Sequence, residues 1–228
     1  MTGGAPATVA IVDYQLGNLF SVKMACAAAG LDAAITSDRQ AILAADAVIL
    51  PGVGAYGDAM TTLAHLDLVS VLRDVAARGT PILGVCLGMQ LLLSESEEFG
   101  AHRGLGLIEG VVSHLDGLAP DGRPLKVPHI GWSRVQPPGD DVTWTGTPLE
   151  LVTPGTFMYF VHSFVARPVD GGVVMSTTQF GARSFCSSLR QGNVFACQFH
   201  PERSGPDGLR LYRSFAAQVA AHYSERFA

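Results

Sequence analysis

Cysteine 86 lies between two glycines, in the sequence Gly84-Val85-Cys86-Leu87-Gly88, where a short apolar run passes into a helical pattern. A strand, a sharp turn and a helix, with the reactive residue in the turn, form a nucleophile elbow, here with cysteine in place of the more familiar serine. Such a turn requires small neighbours because its backbone is strained and the flanking elements approach closely. It also places the sulfur at a helix N-terminus, where unpaired N–H groups favour the thiolate. Taken alone, the motif is equally compatible with a buried structural cysteine in a glycine turn.

A cysteine nucleophile requires a base to remove its proton and a third group to orient that base. Of the seven histidines, His200 is the best placed, because it follows the apolar run 194–199 and begins the sequence His200-Pro201-Glu202. The residue after a parallel strand lies at the carboxyl edge of the sheet, which is also the edge expected for Cys86. Glu202 is close enough in sequence to orient the imidazole. The sequence therefore predicts a Cys86–His200–Glu202 triad, with no metal and no cofactor.

The tetrahedral intermediate of such a reaction needs donors for its oxyanion. The N–H of Leu87, the residue after the nucleophile, is one natural donor. A second is expected from a neighbouring loop, and Gly52 and Val53 in the turn Pro51-Gly52-Val53-Gly54 are the candidates, because glycines let a backbone approach a substrate or reorient a peptide plane. A phosphate-cradling turn or a plain loop is the alternative interpretation of these residues.

The elements that must position these residues alternate between strand and helix in the first half of the chain. Apolar strands are predicted at residues 9–13, 47–50 and 81–85, and helices at 19–29, 68–75 and from 89 onward, with a capping box at 37–40 opening a short helix to Ala44. After Gly100 the pattern changes to short runs with turn signals, typical of hairpins. We therefore predict a flavodoxin-like α/β fold, an open, mostly parallel sheet with helices on both faces and an antiparallel or mixed extension in the second half.

Composition limits the functional classes. The chain has 228 residues, of which 48% are apolar and 15% charged, and its net charge is −5. We expect a single domain over residues 1–228, with 1–8 as a short flexible N-terminus. The scattered basic residues argue against binding to nucleic acid or to membranes. Four cysteines without metal-ligand spacing and an N-terminus without a basic signal region predict free thiols in a reducing compartment, and hence a cytoplasmic protein.

Two segments together resemble the triad-type (class I) glutamine amidotransferases, namely Gly84-Val85-Cys86-Leu87-Gly88-Met89-Gln90 and Gln198-Phe199-His200-Pro201-Glu202. The resemblance runs from Val9 to the C-terminal helix. Four further segments are similar to one branch of this family, which works as a heterodimer with a (β/α)8-barrel cyclase in histidine biosynthesis. They are residues 13–19 (DYQLGNL), 50–54 (LPGVG), 126–132 (KVPHIGW) and 159–164 (YFVHSF).

The resemblance implies that glutamine is hydrolysed to glutamate and ammonia through a thioester on Cys86. His200 would then act as base and afterwards as acid, with Glu202 orienting it. The same matching implies that the glutamine is held by Gln90, Glu98 and the backbone of Ser163 and Phe164. It implies that Gly52 and Val53 lie near the carbonyl of the glutamine. It also implies that the partner is faced by Asn18, Trp132, Tyr159 and Arg203.

Three positions depart from the pattern of that branch. Gln15 stands where glycine is usual, Ser133 where asparagine is common, and Arg203 where lysine is frequent. They leave open a related subunit that delivers ammonia to another acceptor, for instance in surface-sugar amination. The residues also leave open a stand-alone cysteine hydrolase and a non-catalytic ligand-binding module. Without the resemblance, Trp132 and Tyr159 would be interpreted as core aromatics.

Overall fold

The computed structural model describes residues 7–226 and the side chains of residues 7–224. Most of the predicted flexible segment 1–8 lies outside the described residues. Thr8, its last residue, is the first residue of a strand, and its backbone N–H donates to the Asp46 carboxylate at 2.8 Å.

Thirteen strands and six helices are present in the described part of the chain. The strands are β1 Thr8–Val12, β2 Asp32–Thr36, β3 Ala47–Leu50, β4 Ile82–Val85, β5 Leu93–Ser96, β6 His102–Arg103, β7 Ile108–His114, β8 His129–Arg134, β9 Phe157–His162, β10 Phe164–Pro168, β11 Val174–Phe180, β12 Arg183–Gln191 and β13 Val194–Cys197. The helices are α1 Leu19–Ala28, α2 Arg39–Ala44, α3 Tyr56–His65, α4 Leu68–Ala77, α5 Leu87–Leu91 and α6 Gly205–Arg226. None of the helices in this part of the chain is long and apolar enough to cross a membrane.

A seven-stranded sheet forms the centre of the molecule, in the order β11-β12-β13-β4-β3-β1-β2. The five strands from β13 to β2 run parallel, whereas β12 and β11 are antiparallel additions at one edge. Strand β4 lies between β3 and β13, with Ile82 opposite both Val48 and Val194. The carboxyl ends of β3, β4 and β13 therefore meet at one point on the sheet edge.

Apolar side chains cover both faces of the parallel strands. Because successive residues of a strand point to opposite faces, Val48 and Leu50 pack toward α2, α3 and α4, while Ala47 and Ile49 pack toward α1 and α6. Full burial of each large aliphatic side chain contributes roughly 1.5–3 kcal/mol to folding. Two buried layers thus fix the central strands and the turns that follow them.

Two smaller sheets are built from the second half of the chain. One has four strands in the order β10-β7-β5-β6, and the other is the antiparallel pair β8-β9, in which His129 lies opposite His162. The pair β8-β9 lies beside β13, because the N–H of His200 donates to the carbonyl of Tyr159 at 2.9 Å. The β8-β9 pair therefore borders the carboxyl edge of the central sheet, where β13 ends.

The predicted fold class is confirmed, with several differences in individual elements. Helix α5 ends at Leu91 and Leu93 already begins β5, so the predicted helix after Cys86 is shorter than expected. The family-like segment 159–164 does not form one continuous strand, because Ser163 separates β9 from β10. Helix α2 is capped by Asp38, whose side chain accepts from the N–H of Ala41, and Ser37 does not hold that position.

Candidate active site

Cys86 occupies the turn between β4 and α5 in a strained backbone conformation. Its φ is 54° and its ψ is −109°, a region that residues other than glycine rarely adopt and that costs on the order of 1–3 kcal/mol. A Cβ on Gly88 would overlap the backbone carbonyl of Leu50, and a Cβ on Gly84 would approach the Ala196 side chain to 2.9 Å. The two glycines therefore let α5 and the neighbouring strands close around the turn, as the Gly-x-Cys-x-Gly pattern predicts.

The predicted base and its orienting acid are in contact. His200 lies three residues beyond β13, so it reaches the same sheet edge as Cys86, and its Nδ1 lies 2.8 Å from Oε1 of Glu202. The two side chains are almost fully buried, with 4% and 1% of their surface exposed. Nδ1–H donates to the carboxylate, which leaves Nε2 of the imidazole available for a proton from the thiol.

The imidazole has no hydrogen-bond partner on Nε2 within the described part of the chain. Contacts of this kind are often long in unliganded enzymes and shorten once a substrate is bound. Burial lowers the pKa of His200, but the nearby Cys86 sulfur and the Glu202 carboxylate raise it to about 10 overall. This environment favours an imidazolium ion between the acid and the sulfur.

A cavity of about 270 Å³ opens in front of Cys86. It is lined by Cys86 together with all four residues predicted to hold the substrate: Gln90, Glu98, Ser163 and Phe164. The Oε2 atom of Glu98 accepts from the N–H of Tyr56 at 2.7 Å, which anchors this carboxylate at the cavity wall. The structure therefore brings the predicted nucleophile and the predicted substrate-binding residues to one pocket.

The predicted oxyanion donors are close to the pocket but are not arranged to bind an anion. The N–H of Leu87 points to the carbonyl of Gly52, at 3.4 Å, rather than into the cavity. Val53 lines the cavity beside it. Just before these residues, the buried hydroxyl of Tyr14 donates to the Pro51 carbonyl at 2.7 Å. The oxyanion site is therefore unassembled in this conformation.

Three of the four residues predicted to face a partner form one surface patch, which we call the aromatic patch: Trp132, Tyr159 and Arg203. The ring centroids of Trp132 and Tyr159 are 5.9 Å apart, and the Arg203 guanidinium lies 4.8 Å above the Tyr159 ring. Trp132 is 54% exposed and is therefore not a core residue. Asn18, the fourth, is exposed at the start of α1, next to Gly17, which packs beside Gly52.

One residue that the sequence did not single out also belongs to the site. Gln198 is fully buried, and its Nε2 lies 3.7 Å from the sulfur of Cys86. The signal in the sequence is a polar residue within the apolar run 194–199, two positions before the predicted base. A buried amide in an apolar run needs hydrogen-bond partners, and here one of them is the sulfur of Cys86.

Within residues 7–224, side chains outside the pocket do not assemble a metal-binding group. Among the described residues, no group of three or more His, Cys, Asp or Glu side chains is arranged to hold a metal ion. Cys26, Cys186 and Cys197 are buried free thiols. Burial raises the pKa of Cys26 and of Cys186 to about 12, which makes them poor nucleophiles.

The fold and the site together define a class of protein, an open and mostly parallel α/β sheet with a cysteine in a strand–helix turn and a buried histidine–glutamate pair at the same sheet edge. The family model "Glutamine amidotransferase class-I" matches residues 11–219, and the chain belongs to this family.

Curated relatives narrow the class. The chain is 46% identical over 208 residues to "Imidazole glycerol phosphate synthase subunit HisH" of Rhodopirellula baltica, covering 91% of this chain and 96% of the relative. It is 45% identical over 211 residues to the protein of the same name from Moorella thermoacetica, covering 92% and 95%.

Solved structures share the fold. A structure described as glutamine amidotransferase aligns with a TM-score of 0.68 at 22% identity, over 92% of this chain and 98% of the other. PurLQS from Thermotoga maritima aligns with a TM-score of 0.67 at 20% identity, over 94% of this chain and 99% of the other.

Proposed function

We propose that this chain is the glutaminase subunit of an imidazole glycerol phosphate synthase, and that it supplies ammonia for histidine biosynthesis in the cytoplasm. The observation that carries the proposal is the single pocket at which Cys86 meets Gln90, Glu98, Ser163 and Phe164, with the imidazole of His200 held by Glu202 behind it. The identity of 45–46% to two proteins named as subunits of that synthase supports the particular pathway.

The first half of the reaction forms a thioester. The Cys86 thiolate attacks the carboxamide carbon of glutamine, so an S–C bond forms and the carbonyl electrons move onto oxygen. When this intermediate collapses, the C–N bond breaks and the His200 imidazolium donates its proton from Nε2 to the leaving nitrogen, which departs as ammonia. Glu202 accepts from Nδ1–H throughout, and so keeps Nε2 directed at the reacting atoms.

The second half releases glutamate. Neutral His200 removes a proton from water at Nε2, the resulting hydroxide adds to the thioester carbon, and the C–S bond breaks to return the thiolate and glutamate. In both halves the negative oxygen requires N–H donors, and preorganised donors of this kind contribute strongly to rate.

Assembly of these donors requires a change in the 51–54 loop. In this structure the Leu87 N–H is directed at the Gly52 carbonyl at 3.4 Å. Rotation of the peptide between Gly52 and Val53 would remove that carbonyl and present the Val53 N–H in its place. This geometry supports a subunit that hydrolyses glutamine slowly alone and faster when a partner favours the rotated peptide.

The partner in this proposal is a (β/α)8-barrel cyclase that forms a heterodimer by contacting the aromatic patch and Asn18. Ammonia in neutral water is mostly protonated and is then not a nucleophile, so hydrolysis is useful only next to a consumer. The aromatic patch adjoins His200, because Tyr159 accepts from the His200 N–H. Ammonia formed at Cys86 would therefore leave close to the proposed interface.

Glutamate release from glutamine tests this proposal directly. The chain should be assayed alone, with the barrel cyclase of the same organism, and with that cyclase plus its nucleotide ligand. We expect a low rate alone and a large increase only in the complete mixture, and no rate at all with Cys86→Ala in any mixture. Equal rates in all three mixtures would instead identify a free-standing hydrolase.

A further inference from the structure

The orientation of the side-chain amides of Gln90 and Gln198 follows from the backbone carbonyl of Phe164. The carbonyl oxygen of Phe164 can only accept hydrogen bonds, and the terminal nitrogen of Gln90 lies 3.0 Å from it. The opposite orientation of Gln90 would place two acceptors against each other. The second N–H of the same amide group points to Oε1 of Gln198, also at 3.0 Å. Gln198 must therefore present its oxygen to Gln90 and its NH₂ group to the opposite side.

The Phe164 carbonyl is itself held on a second side. Nδ1 of His162 lies 3.0 Å from this oxygen, and Nε2 of His162 lies 3.1 Å from Nδ1 of His129. Burial lowers the pKa of His162 to about 3, so the ring is neutral and carries one N–H. With Nδ1–H donating to the carbonyl, Nε2 accepts from His129, and both lone pairs of the Phe164 oxygen are engaged. The Phe164 carbonyl, which orients the two amides, is therefore also held in place by His162.

The group toward which Gln198 directs its NH₂ is the sulfur of Cys86. The N–S distance of 3.7 Å is within the range for a hydrogen bond to sulfur, and Gln198 is fully buried. A donor directed at a titratable atom stabilises its charged form more than its neutral form, and hydrogen bonds to charged acceptors are the stronger ones. A buried amide positioned in this way distinguishes between thiol and thiolate.

We propose that Gln198 is a further catalytic residue, whose side-chain N–H binds the Cys86 sulfur and stabilises the thiolate that attacks the substrate, with Gln90 holding the amide in the donating orientation. This inference rests on the proposed function in taking Cys86 as the nucleophile. Gln90 thus has a second role besides lining the pocket. By donating to both the Phe164 carbonyl and Oε1 of Gln198, it fixes the orientation of the Gln198 amide.

The test measures the reactivity of the sulfur without glutamine. The full chain is treated with iodoacetamide at a series of pH values, and modification of Cys86 is followed by mass spectrometry. Gln198→Met keeps the length of the side chain and removes the donor, whereas Gln198→Glu keeps the shape and replaces the donor with a carboxylate. We expect both variants to move the midpoint of the pH–rate profile upward by about one to two pH units, and to lower kcat for glutamine hydrolysis about tenfold or more.

Gln191→Met, an exposed glutamine in the same part of the chain, is the matched control and should leave the midpoint unchanged. Variants that fold, as judged by circular dichroism and urea unfolding, and that keep the wild-type midpoint would overturn the proposal. If the chain does not hydrolyse glutamine but the midpoint still shifts in the variants, the proposed substrate is wrong and the role of Gln198 toward the sulfur stands.

A measurement on the unaltered chain covers the case in which both variants fail to fold. The side-chain amide NMR signals of Gln198 should change with pH at the same midpoint as the alkylation of Cys86, and should shift after alkylation. Amide signals that do not respond to either treatment would contradict the hydrogen bond.

Discussion

At the scale of the residue, the site encloses two ionisable groups in an apolar region. Glu202 and His200 are almost fully buried, and Oε2 of Glu202 has no hydrogen-bond partner among the described residues. A buried ion pair gains little net stability, because the desolvation of both charges offsets their attraction. Under the proposed function the pair instead serves the chemistry, because it favours a protonated imidazole beside Cys86. The consequence for stability is a dependence on pH.

The first residue-scale prediction concerns that dependence. The pKa of His200 is raised in the fold to about 10, above its unfolded value of about 6.5. Its contribution to stability is therefore fully present below about pH 6.5 and is lost as the pH rises toward 10. We expect the His200 contribution to the free energy of unfolding to fall by about 1 kcal/mol per pH unit between pH 7 and 8.5, followed by urea denaturation at each pH.

Glu202→Gln should reduce this slope, because it removes one of the charges that raise the pKa of His200. The window from pH 7 to 8.5 avoids the titration of two other sets of buried groups. His162 and His129 have lowered pKa values in the fold and act with the opposite sign, but only near and below about pH 6.5. Cys26 and Cys186, whose pKa burial raises to about 12, begin to contribute only near and above about pH 8.5. An identical slope in the variant would show that the pair does not control the charge of His200.

At the scale of the element, two loops at the ends of neighbouring strands are fitted together. The loop after β1 supplies Tyr14, whose hydroxyl holds the Pro51 carbonyl, and the loop after β3 supplies Gly52 directly beneath it. A Cβ on Gly52 would overlap the Tyr14 hydroxyl and approach Cβ of Leu87 to 3.1 Å. Glycine is therefore required at position 52 by the neighbouring loop, independently of any peptide rotation.

We predict that Gly52→Ala lowers the partner-stimulated rate of glutamine hydrolysis by at least tenfold, because the added methyl group displaces the loop that must supply an oxyanion donor. Tyr14→Phe removes the overlapping hydroxyl, so the double variant should recover part of the rate lost in the single variant. Gly171→Ala, where an added Cβ meets nothing within 4 Å, is the matched control. Strictly additive losses would show that the Tyr14 hydroxyl is not the obstacle.

The sequence allowed the elements of the parallel sheet to be predicted better than the rest. Apolar strands such as β3 and β4 are continuous buried runs, and α1 and α4 have clear helical spacing, so local patterns were sufficient. Helix α3 was not predicted, although Tyr56, Ala59 and Leu63 recur at helical spacing and form its buried face, because Gly57 and the polar residues between them weaken the pattern. The predicted triad of Cys86, His200 and Glu202 could be proposed from the sequence, whereas the proposed role of Gln198 depends on amide orientations that only three-dimensional contacts define.

At the scale of the whole molecule, the aromatic patch and the pocket occupy the same end of the sheet. Trp132 and Tyr159 lie on the β8-β9 pair, and Arg203 lies just after His200, so all three are attached to elements that also form the site. Tryptophan, tyrosine and arginine are the residue types that dominate binding energy at protein interfaces. A partner bound at the aromatic patch would therefore lie next to the pocket that contains Cys86.

We predict that Trp132→Ala weakens binding of the barrel cyclase by at least about 30-fold in Kd, measured by isothermal titration calorimetry. The free energy of unfolding should change by less than about 0.5 kcal/mol, because the side chain is 54% exposed. Leu151→Ala, at an equally exposed apolar residue outside the patch, should leave the Kd unchanged. Unaltered binding by the Trp132 variant would place the interface elsewhere.

The pairing of β4 with β13 also has a consequence during synthesis of the chain. Because Cys86 follows β4 and His200 follows β13, the two side chains come together only after these strands have paired. The ribosome completes Cys86 long before His200 and Glu202, and β13 can pair with β4 only after the whole intervening chain has been made. Parallel pairing over such a separation forms late, because the chain must close a long loop first. Under the proposed function, a growing chain therefore carries Cys86 without the base that activates it until β13 has been made and paired with β4.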